Sequence, residues 1–360
     1  MKTLVIAPEM FATEGGISRI LRLYIRALAE DCPADATLEI VALKDTLADV
    51  RRMPKAMEPR TLQIRGYNNH KIAFSVAALL AGLRSDRILC GHLHQLVIAW
   101  TAKRLRPPLS YYLVAHGIEV WRPYSWAERQ ALRGAKKILC VSEYTRRQML
   151  RFDPALDPKR LVVLPNTFDP RFKPNQGVKP DSCDAGRHPI ILVVSRLSAG
   201  DPYKGVDLMI EAMPRVLLRY PEAQLRIVGH GTDRERLETI AEAANLRSAV
   251  HFCGILDDES LAKEYQQCDL FALPSRKEGF GLVYLEAMSY GKPCIAARSG
   301  GAPEVVNGAV GVLVEYGNTE QIVVAISEIV RRKGDEDVIS ARAQDFGFHR
   351  FQRNLSALLV

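Results

Sequence analysis

Hydrophobic and polar positions along the chain alternate in short blocks that predict strands and helices in turn. Apolar runs such as residues 3–7 and 111–115 have the length of buried strands, whereas residues 17–29 repeat apolar side chains at helical spacing. The alternation begins again further along, where a buried-type strand over residues 190–195 precedes a helix over residues 206–220. Repeated strand–helix units of this kind predict parallel sheets covered by helices, which is an α/β fold.

The two series of strands and helices indicate two domains. A chain of 360 residues is natural for two hydrophobic cores, and a stretch rich in proline and polar residues separates the series. We assign residues 1–172 to the first domain, 173–189 to a linker and 190–345 to the second domain. Because ligands of doubly wound sheets bind at the carboxyl ends of the strands, we expect two Rossmann-like domains facing each other across a substrate-binding cleft.

Charge is distributed unevenly between the two halves of the chain. Residues 1–172 carry 27 Lys and Arg against 16 Asp and Glu, a net charge of +11, and the remainder has a net charge of −3. A basic half suits an anionic partner. We find no recognisable nucleic-acid-binding motif, so nucleic acid is disfavoured. Contact with an anionic membrane surface is our hypothesis, and a solvated basic face is the alternative.

Apolar and cysteine patterns limit the cellular setting. No apolar run approaches 18 residues, and the N-terminus enters a strand pattern directly, so we expect neither a transmembrane helix nor a signal peptide. The seven cysteines are scattered and include no Cys-x-x-Cys pair, which favours reduced thiols over disulfides or a zinc site. We therefore expect a cytoplasmic protein, peripheral on the inner face of the plasma membrane if it contacts a membrane.

The most informative motif is a pair of glutamates around a glycine-containing turn. Glu278 and Glu286 enclose Gly-Phe-Gly-Leu-Val-Tyr-Leu, and the helical pattern from residue 282 puts Glu286 about one turn into a helix whose N-terminus faces Glu278. Free amides at such an N-terminus suit a phosphate, and the carboxylates could accept hydrogen bonds from hydroxyls on either side. A nucleotide sugar has this layout. The alternative is a helix N-terminus with two surface glutamates.

Polar and glycine positions after the predicted strands of the first domain are further candidates. Gly15 and Gly16 would let the backbone pass close to a phosphate or sugar, although such a pair is also typical of a flexible turn. His116 ends a predicted strand and could contact the transferred sugar, or it could simply bond a loop carbonyl. Glu119 and Trp121 follow in a loop that could line the acceptor side, with packing as the alternative for the tryptophan.

Seven short motifs follow one another along the second half of the chain. They are Val194-Ser195-Arg196-Leu197, Tyr203-Lys204-Gly205, Ile227-Val228-Gly229-His230-Gly231, Phe252-Cys253-Gly254, Asp269-Leu270-Phe271-Ala272-Leu273-Pro274-Ser275, the Glu278/Glu286 unit and Gly300-Gly301-Ala302-Pro303-Glu304. The first half of the chain keeps Gly15-Gly16, His116-Gly117, Val141-Ser142 and Pro165-Asn166. By the order and spacing of these motifs the chain resembles a retaining glycosyltransferase of family 4, with the GT-B fold, over nearly its whole length, and its first half is the more divergent.

The resemblance implies roles for individual residues. Arg196 and Lys204 would stabilise charge that develops on the leaving diphosphate, and Glu278 and His116 would act on the transferred sugar. The implied donor-binding residues are Gly15, Gly16, Gly229, Phe280, Gly281, Leu282, Val283 and Glu286. The resemblance also implies no cofactor and no metal, because cations and helix N-termini do the work of a divalent ion, and it implies that residues 346–360 pack back on the first domain.

We therefore expect a retaining hexosyltransferase that moves a sugar from a UDP- or GDP-sugar to a saccharide or lipid-linked acceptor. Polysaccharide or cell-envelope glycan assembly is the expected setting. A sugar-nucleotide epimerase and a non-catalytic nucleotide-sugar-binding protein of the same fold remain alternatives. The presence of Arg196, Lys204 and Glu278 together favours an enzyme.

Overall fold

The computed structural model contains two compact units, each built on a β-sheet. It describes residues 1–13, 15–31, 36–51, 62–172, 188–332 and 334–359. The first unit comprises Met1–Thr167 and Phe348–Val360, and the second comprises Phe168–Gly347. Most of the predicted linker over residues 173–189 lies outside the described residues, as do Cys32 and Cys183.

Strands and helices alternate through the first unit. Its strands are β1 (Lys2–Ala7), β2 (Thr37–Ala42), β3 (Leu62–Gly66), β4 (Arg87–Cys90), β5 (Ser110–Ala115), β6 (Lys137–Cys140) and β7 (Leu161–Val163). Its helices before the second unit begins are α1 (Gly16–Glu30), α2 (Leu47–Val50), α3 (Lys71–Leu83), α4 (Leu96–Leu105), α5 (Trp126–Gly134) and α6 (Glu143–Phe152).

The second unit repeats the alternation. Its strands are β8 (Ile190–Val194), β9 (Gln224–Val228), β10 (Val250–Gly254), β11 (Leu270–Leu273), β12 (Cys294–Ala297) and β13 (Gly311–Val314). Its helices are α7 (Val206–Arg219), α8 (Arg234–Ala243), α9 (Asp258–Gln267), α10 (Leu282–Ser289), α11 (Ala302–Val305), α12 (Thr319–Arg332) and α13 (Glu336–Gln344). The chain then ends with α14 (Phe348–Leu358), which belongs to the first unit.

Both sheets are parallel and doubly wound, which confirms the predicted fold class of each half. The strand order is β3-β2-β1-β4-β5-β6-β7 in the first sheet and β10-β9-β8-β11-β12-β13 in the second. Neighbouring strands in both sheets pair in parallel. The strand order reverses between β1 and β4 and between β8 and β11. Loops at the carboxyl ends of these strands are where such a sheet binds ligands.

Buried strands and aromatic contacts form the core of the first unit. Leu4 and Ile6 on β1 are fully buried between helix layers, as parallel strands covered on both faces require. Helix α14 packs on α1, where the rings of Tyr24 and Phe351 meet edge to face at 4.8 Å between centroids. The Arg26 guanidinium lies 4.7 Å from the centroid of a second ring on α14. The end of the chain is therefore part of the first unit's core.

Some elements are not predicted by the hydrophobic pattern. The strand β3 alternates half-buried and exposed positions at the edge of its sheet, so it lacks the apolar run of a buried strand.

Within the described ranges, no helix combines the length and the apolar content that crossing a membrane would need.

Candidate active site

The loops that follow β8 and β9 lie against each other at the carboxyl edge of the second sheet. Gly229 has a φ of +139°, and a Cβ there would lie 1.8 Å from the carbonyl oxygen of Ser195. A Cβ on Gly231 would lie 2.0 Å from the carbonyl oxygen of Leu197. The Leu197 amide in turn donates to the carbonyl of His230 at 3.1 Å. Glycine at position 229 is therefore required by backbone packing, whatever ligand it also contacts.

Lys204 and Glu278 meet beside the point where the strand order of the second sheet reverses. The Nζ of Lys204 lies 2.8 Å from Oε2 of Glu278, and the two side chains are 23% and 14% exposed. Gly205 turns the chain with a φ of +74°, and a Cβ there would lie 2.7 Å from the carbonyl oxygen of Pro274. The loop after β8 is thus seated on the loop after β11. That backbone contact fixes where the ion pair forms.

Arg196 extends from the same loop and is held by Asp201. Its Nε donates to Oδ2 of Asp201 at 2.9 Å, and the Tyr203 hydroxyl donates to Oδ1 at 2.7 Å. The Arg196 side chain remains 69% exposed, so its guanidinium can still reach an anionic ligand. Asp201 was not predicted, because a lone aspartate in a loop carries no sequence signal of this kind.

Glycines after β12 fix the backbone of Glu278. Gly300 has a φ of +63°, and a Cβ there would lie 2.3 Å from the Glu278 carbonyl oxygen. The Gly301 amide donates to that same oxygen at 2.7 Å. The Gly-Gly motif therefore positions Glu278 through direct backbone contact.

Helix α10 begins beside Glu278, and no side chain caps it. Gly281 precedes its first residue with a φ of +96°, and a Cβ there would lie 2.3 Å from the Tyr284 ring. Phe280 is only 2% exposed and anchors the turn, whereas Leu282 and Val283 are partly exposed. The first amides of a helix lack intrahelical acceptors and carry a partial positive charge. This N-terminus is suited to a phosphate, as the sequence predicts.

Glu286 lies on α10 and is 4% exposed. Its Oε2 accepts a hydrogen bond from the hydroxyl of Tyr265, on α9, at 2.9 Å. Tyr265 is fully buried and stacks on Tyr290, with 5.8 Å between ring centroids and 8° between ring planes. The sequence identifies Glu286 but not its partner, since Tyr265 reads as an ordinary core aromatic on an amphipathic helix.

In the first unit, Gly15 and Gly16 lead into α1. Gly15 is extended, with a φ of −158°, and as the N-cap residue of α1 it has no side chain that could cap the helix. Apart from its neighbours along the chain, no described atom lies within 4 Å of the position that a Cβ on Gly16 would take. The atom nearest to a Cβ on Gly15 would be Ser18 Oγ, at 3.8 Å. Packing of the described residues does not require glycine here. The absent side chains leave room for a ligand at the start of α1.

A buried carboxylate that the sequence does not reveal holds the loop before these glycines. Asp45 is 0% exposed. Its Oδ2 accepts from the Met10 amide at 2.7 Å, and its Oδ1 accepts from the amides of Phe11 at 2.6 Å and Ala12 at 3.1 Å. Burial raises the pKa of Asp45, and the three backbone bonds oppose that rise. Arg22 secures the other side of the loop by donating to the Met10 carbonyl at 2.8 Å.

His116 follows β5 and is held by two partners. Its Nε2 lies 2.8 Å from the carbonyl oxygen of Gly91, so Nε2 carries the proton and donates. Burial lowers the pKa of His116 to about 4, which leaves the ring neutral at pH 7. The Glu119 carboxylate accepts from the His116 amide at 2.5 Å, and burial raises the pKa of Glu119. Glu119 therefore secures the turn that carries His116.

Trp121 and an Asp-x-Asp triplet both have local structural roles. Trp121 packs edge to face on Tyr144, with 5.0 Å between ring centroids. The Asp-x-Asp triplet at residues 335–337 caps α13, because the Asp335 carboxylate accepts from the amides of Asp337 and Val338 at 3.0 and 3.2 Å. Over the described ranges, no three His, Cys, Asp or Glu side chains are grouped so that they could hold a metal ion.

The structure groups the predicted site residues within each unit. Glu278, Lys204, Arg196 and the N-terminus of α10 lie together at the carboxyl edge of the second sheet. Gly15, Gly16 and His116 follow strands at the carboxyl edge of the first sheet. Two doubly wound sheets, one of them with cations beside a helix N-terminus, define a protein of the nucleotide-binding class.

Family models match both units. The model for glycosyl transferases group 1 matches residues 180–346, and the model for glycosyltransferase family 4 matches residues 15–172. The two models together account for most of the chain. The chain belongs to the family 4, group 1 glycosyltransferases, which confirms the resemblance drawn from its motifs.

Two bacterial relatives of the chain are glycosyltransferases. A GDP-mannose-dependent alpha-(1-6)-phosphatidylinositol monomannoside mannosyltransferase of Mycolicibacterium smegmatis is 33% identical over 232 residues, which are 60% of this chain and 59% of that relative. A GDP-mannose-dependent monoacylated alpha-(1-6)-phosphatidylinositol monomannoside mannosyltransferase of Corynebacterium glutamicum is 29% identical over 91% of this chain and 88% of that relative. The first match thus spans less than two thirds of the relative's length.

Solved structures support the fold. HepE from Anabaena, in complex with UDP and glucose, superposes with a TM-score of 0.79 at 19% identity and covers 100% of this chain and 99% of that chain. At this identity the likeness is informative about fold alone. The fold is GT-B.

The Asp45 carboxylate should determine the order of the loop that precedes Gly15. Asp45→Asn replaces a carboxylate that accepts hydrogen bonds from three backbone amides with a neutral amide. The NH₂ group of the asparagine cannot accept a hydrogen bond, so at least one backbone amide loses its acceptor. We expect a loss of about 2 kcal/mol in unfolding free energy, with faster hydrogen exchange at Met10, Phe11 and Ala12. Thermal unfolding and exchange mass spectrometry measure the two effects.

Asp86→Asn is the matched control, because the exposed Asp86 carboxylate also accepts a backbone amide, that of Lys2 at 2.8 Å. It should leave exchange at residues 10–12 unchanged. Unaltered exchange at residues 10–12 in Asp45→Asn would show that the carboxylate does not hold the loop.

Proposed function

We propose that this protein is a retaining hexosyltransferase that uses a UDP- or GDP-sugar, without a metal cofactor. The observation that carries the proposal is the Lys204–Glu278 pair, 2.8 Å apart beside the N-terminus of α10, with Arg196 held by Asp201 on the same loop as Lys204. Two cations and a helix N-terminus suit a diphosphate. Glu278 suits hydroxyls of the transferred sugar, and Glu286 suits those of the ribose.

Catalysis in this proposal is electrostatic. As the bond from the anomeric carbon to the diphosphate breaks, negative charge grows on the leaving oxygen. Arg196, Lys204 and the first amides of α10 stabilise that charge more strongly than they stabilise the bound donor. The leaving oxygen takes the proton of the acceptor hydroxyl, which attacks from the same face and so retains configuration. The neutral His116 ring hydrogen-bonds the transferred hexose.

The names of two relatives support the proposed classes of donor and acceptor. Two relatives are described as GDP-mannose-dependent enzymes that act on phosphatidylinositol monomannosides, which favours a GDP-sugar and a lipid-linked acceptor. UDP-sugars stay in the proposal, because the diphosphate and the ribose that the described residues suit are common to UDP- and GDP-sugars. We place the reaction in polysaccharide or cell-envelope glycan assembly in the cytoplasm. A sugar-nucleotide epimerase or a non-catalytic binding protein remains the alternative that experiment must exclude.

A thermal-shift panel tests the donor site. UDP, GDP, UDP-glucose and GDP-mannose are added without metal, and a ligand at 100 times its Kd should add roughly 2.7 kcal/mol of stability. Lys204→Ala should weaken binding of the stabilising nucleotide by at least tenfold, on the order of 1.4 kcal/mol, because it removes a cation from the diphosphate.

Lys263→Ala removes a lysine of the same unit that pairs with Glu259 at 2.9 Å on the exposed face of α9, and it should leave nucleotide affinity unchanged. If none of the four compounds stabilises the protein, the proposed donor site is wrong. If nucleotides bind and Lys204→Ala binds them equally well, the diphosphate lies elsewhere.

Stereochemistry and metal independence are tested together on slow donor hydrolysis. With whichever of GDP-mannose or UDP-glucose stabilises the protein, proton NMR should first detect the α-anomer of the released sugar. EDTA should leave the rate unchanged, since Arg196 and Lys204 supply the positive charge. Initial release of the β-anomer would contradict retention, and an epimerised sugar would identify the alternative enzyme class.

Exposed apolar side chains of the first unit support a membrane-associated acceptor. Leu47, Ile72 and Trp126 are 72%, 83% and 70% exposed. Leu47 and Trp126 are the first residues of α2 and α5, and Ile72 is the second residue of α3. Val76 and Leu80, which are 52% and 50% exposed, continue the stripe of Ile72 along α3. Helices that follow parallel strands begin at the carboxyl edge of the sheet. An apolar rim on a chain half with net charge +11 suits an anionic bilayer.

Vesicle binding tests this surface. Substituting Ile72→Ser together with Val76→Ser should weaken binding to phosphatidylcholine–phosphatidylglycerol vesicles by roughly tenfold, since two apolar side chains no longer leave water. Leu218→Ser, at an 87% exposed leucine of the second unit, is the control and should have no effect. Equal binding of the double variant and the unaltered protein, or no preference for anionic lipid in co-sedimentation, would remove the membrane from the proposal.

A further inference from the structure

A hydrogen bond between two buried side chains joins α9 to α10 beside the proposed donor site. The Tyr265 hydroxyl donates to Oε2 of Glu286 at 2.9 Å. The tyrosine is 0% exposed and the glutamate 4% exposed. A buried carboxylate requires donors to offset its lost hydration. Tyr265 is one such donor.

The chemical type of this donor matters. A lysine or arginine at position 265 would neutralise the glutamate and compete with a ligand for its charge. A phenol is a neutral donor, so its bond orients the carboxylate while the negative charge persists. The arrangement suits a carboxylate that must accept further hydrogen bonds from uncharged hydroxyls.

The aromatic ring that carries this hydroxyl is itself tightly fixed. The Tyr265 ring stacks nearly parallel on Tyr290, with 5.8 Å between centroids and 8° between planes. It also contacts Phe271 at 6.1 Å and the edge of Phe172 at 6.4 Å between centroids. Since Phe271 lies on β11 and Tyr290 ends α10, contacts from several elements set the position of the hydroxyl. The direction of its bond to Glu286 is therefore fixed before any ligand binds.

We propose that Tyr265 is a positioning residue that aims the Glu286 carboxylate at the ribose hydroxyls of the nucleotide, and thereby sets a preference for ribonucleotides over deoxyribonucleotides. The proposal rests on the proposed function, which gives Glu286 the ribose. A carboxylate that accepts from two neighbouring ribose hydroxyls must present its oxygens at a defined angle, because hydrogen bonds weaken steeply when misaligned. Loss of the phenol removes a bond that holds the carboxylate in this orientation.

Tyr265→Phe tests the role, because it deletes one oxygen and keeps the ring contacts. The dissociation constants of UDP and GDP, and of their 2′,3′-dideoxy forms, are measured by titration calorimetry for the unaltered protein and the variant. We expect the unaltered protein to bind the ribonucleotide more tightly than its dideoxy form. In the variant the ratio of the two dissociation constants should fall by about tenfold, entirely through weaker ribonucleotide binding. Affinity for the dideoxy form should stay the same.

Two controls separate positioning from stability. Tyr111→Phe deletes another buried hydroxyl, which donates to the Ala131 carbonyl at 2.7 Å in the first unit, and should leave the preference intact. Glu286→Gln should reduce the preference by itself, and adding Tyr265→Phe to it should reduce the preference no further. An unchanged preference in Tyr265→Phe would overturn the inference and leave the donor site standing. If the unaltered protein binds neither nucleotide, the proposed function and this inference both fail.

A second measurement covers the case in which Tyr265→Phe does not fold. Incorporation of 3-fluorotyrosine at position 265 keeps the hydroxyl and reports on its hydrogen bond. The fluorine resonance should move when UDP or GDP is added, and it should move much less with the dideoxy forms. Equal shifts with both kinds of nucleotide would overturn the positioning role.

Discussion

Backbone contacts that only glycine permits hold the second unit's site together. The loops after β8, β9, β11 and β12 touch main chain to main chain at Gly205, Gly229 and Gly300, each with positive φ and each within 3 Å of a neighbouring carbonyl if it carried a Cβ. These contacts do not depend on side-chain rotamers. They fix the spacing of Lys204, Glu278 and the start of α10, so the main chain holds the charged groups in place. Preorganisation of this kind is what electrostatic catalysis requires.

The first unit holds its site loops in a different way. Its carboxyl-edge loops are held by buried carboxylates: Asp45 accepts three amides from the loop before Gly15, and Glu119 accepts the amide of His116. A charged acceptor makes stronger bonds to amides than a neutral one. The glycines at positions 15 and 16 are then not required by packing of the described residues. Loop order and ligand access are thus supplied by separate residues.

The sequence predicts the parallel sheets, both series of strands and the family, because buried strands and glycine-containing loops leave strong local patterns. It does not predict β3, whose alternating half-buried and exposed side chains resemble a surface loop. It also misses Asp45 and Tyr265. Each acts on residues more than 20 positions away along the chain, so its role exists only once the fold has brought the partners together. Burial of Glu286 is hidden for the same reason.

The Lys204–Glu278 pair has a physical consequence for the proposed reaction. The two side chains are only 23% and 14% exposed, so separating them without new partners would leave largely buried charges unpaired. A diphosphate would compete for Lys204, and hydroxyls of the transferred sugar would replace the lysine on Glu278. The charges that pair in this structure are then the ones that a nucleotide sugar would separate, with diphosphate on one side and hexose on the other. In that exchange Lys204 gains an anionic partner and Glu278 gains hydrogen-bond donors, so neither charged group is left without a partner.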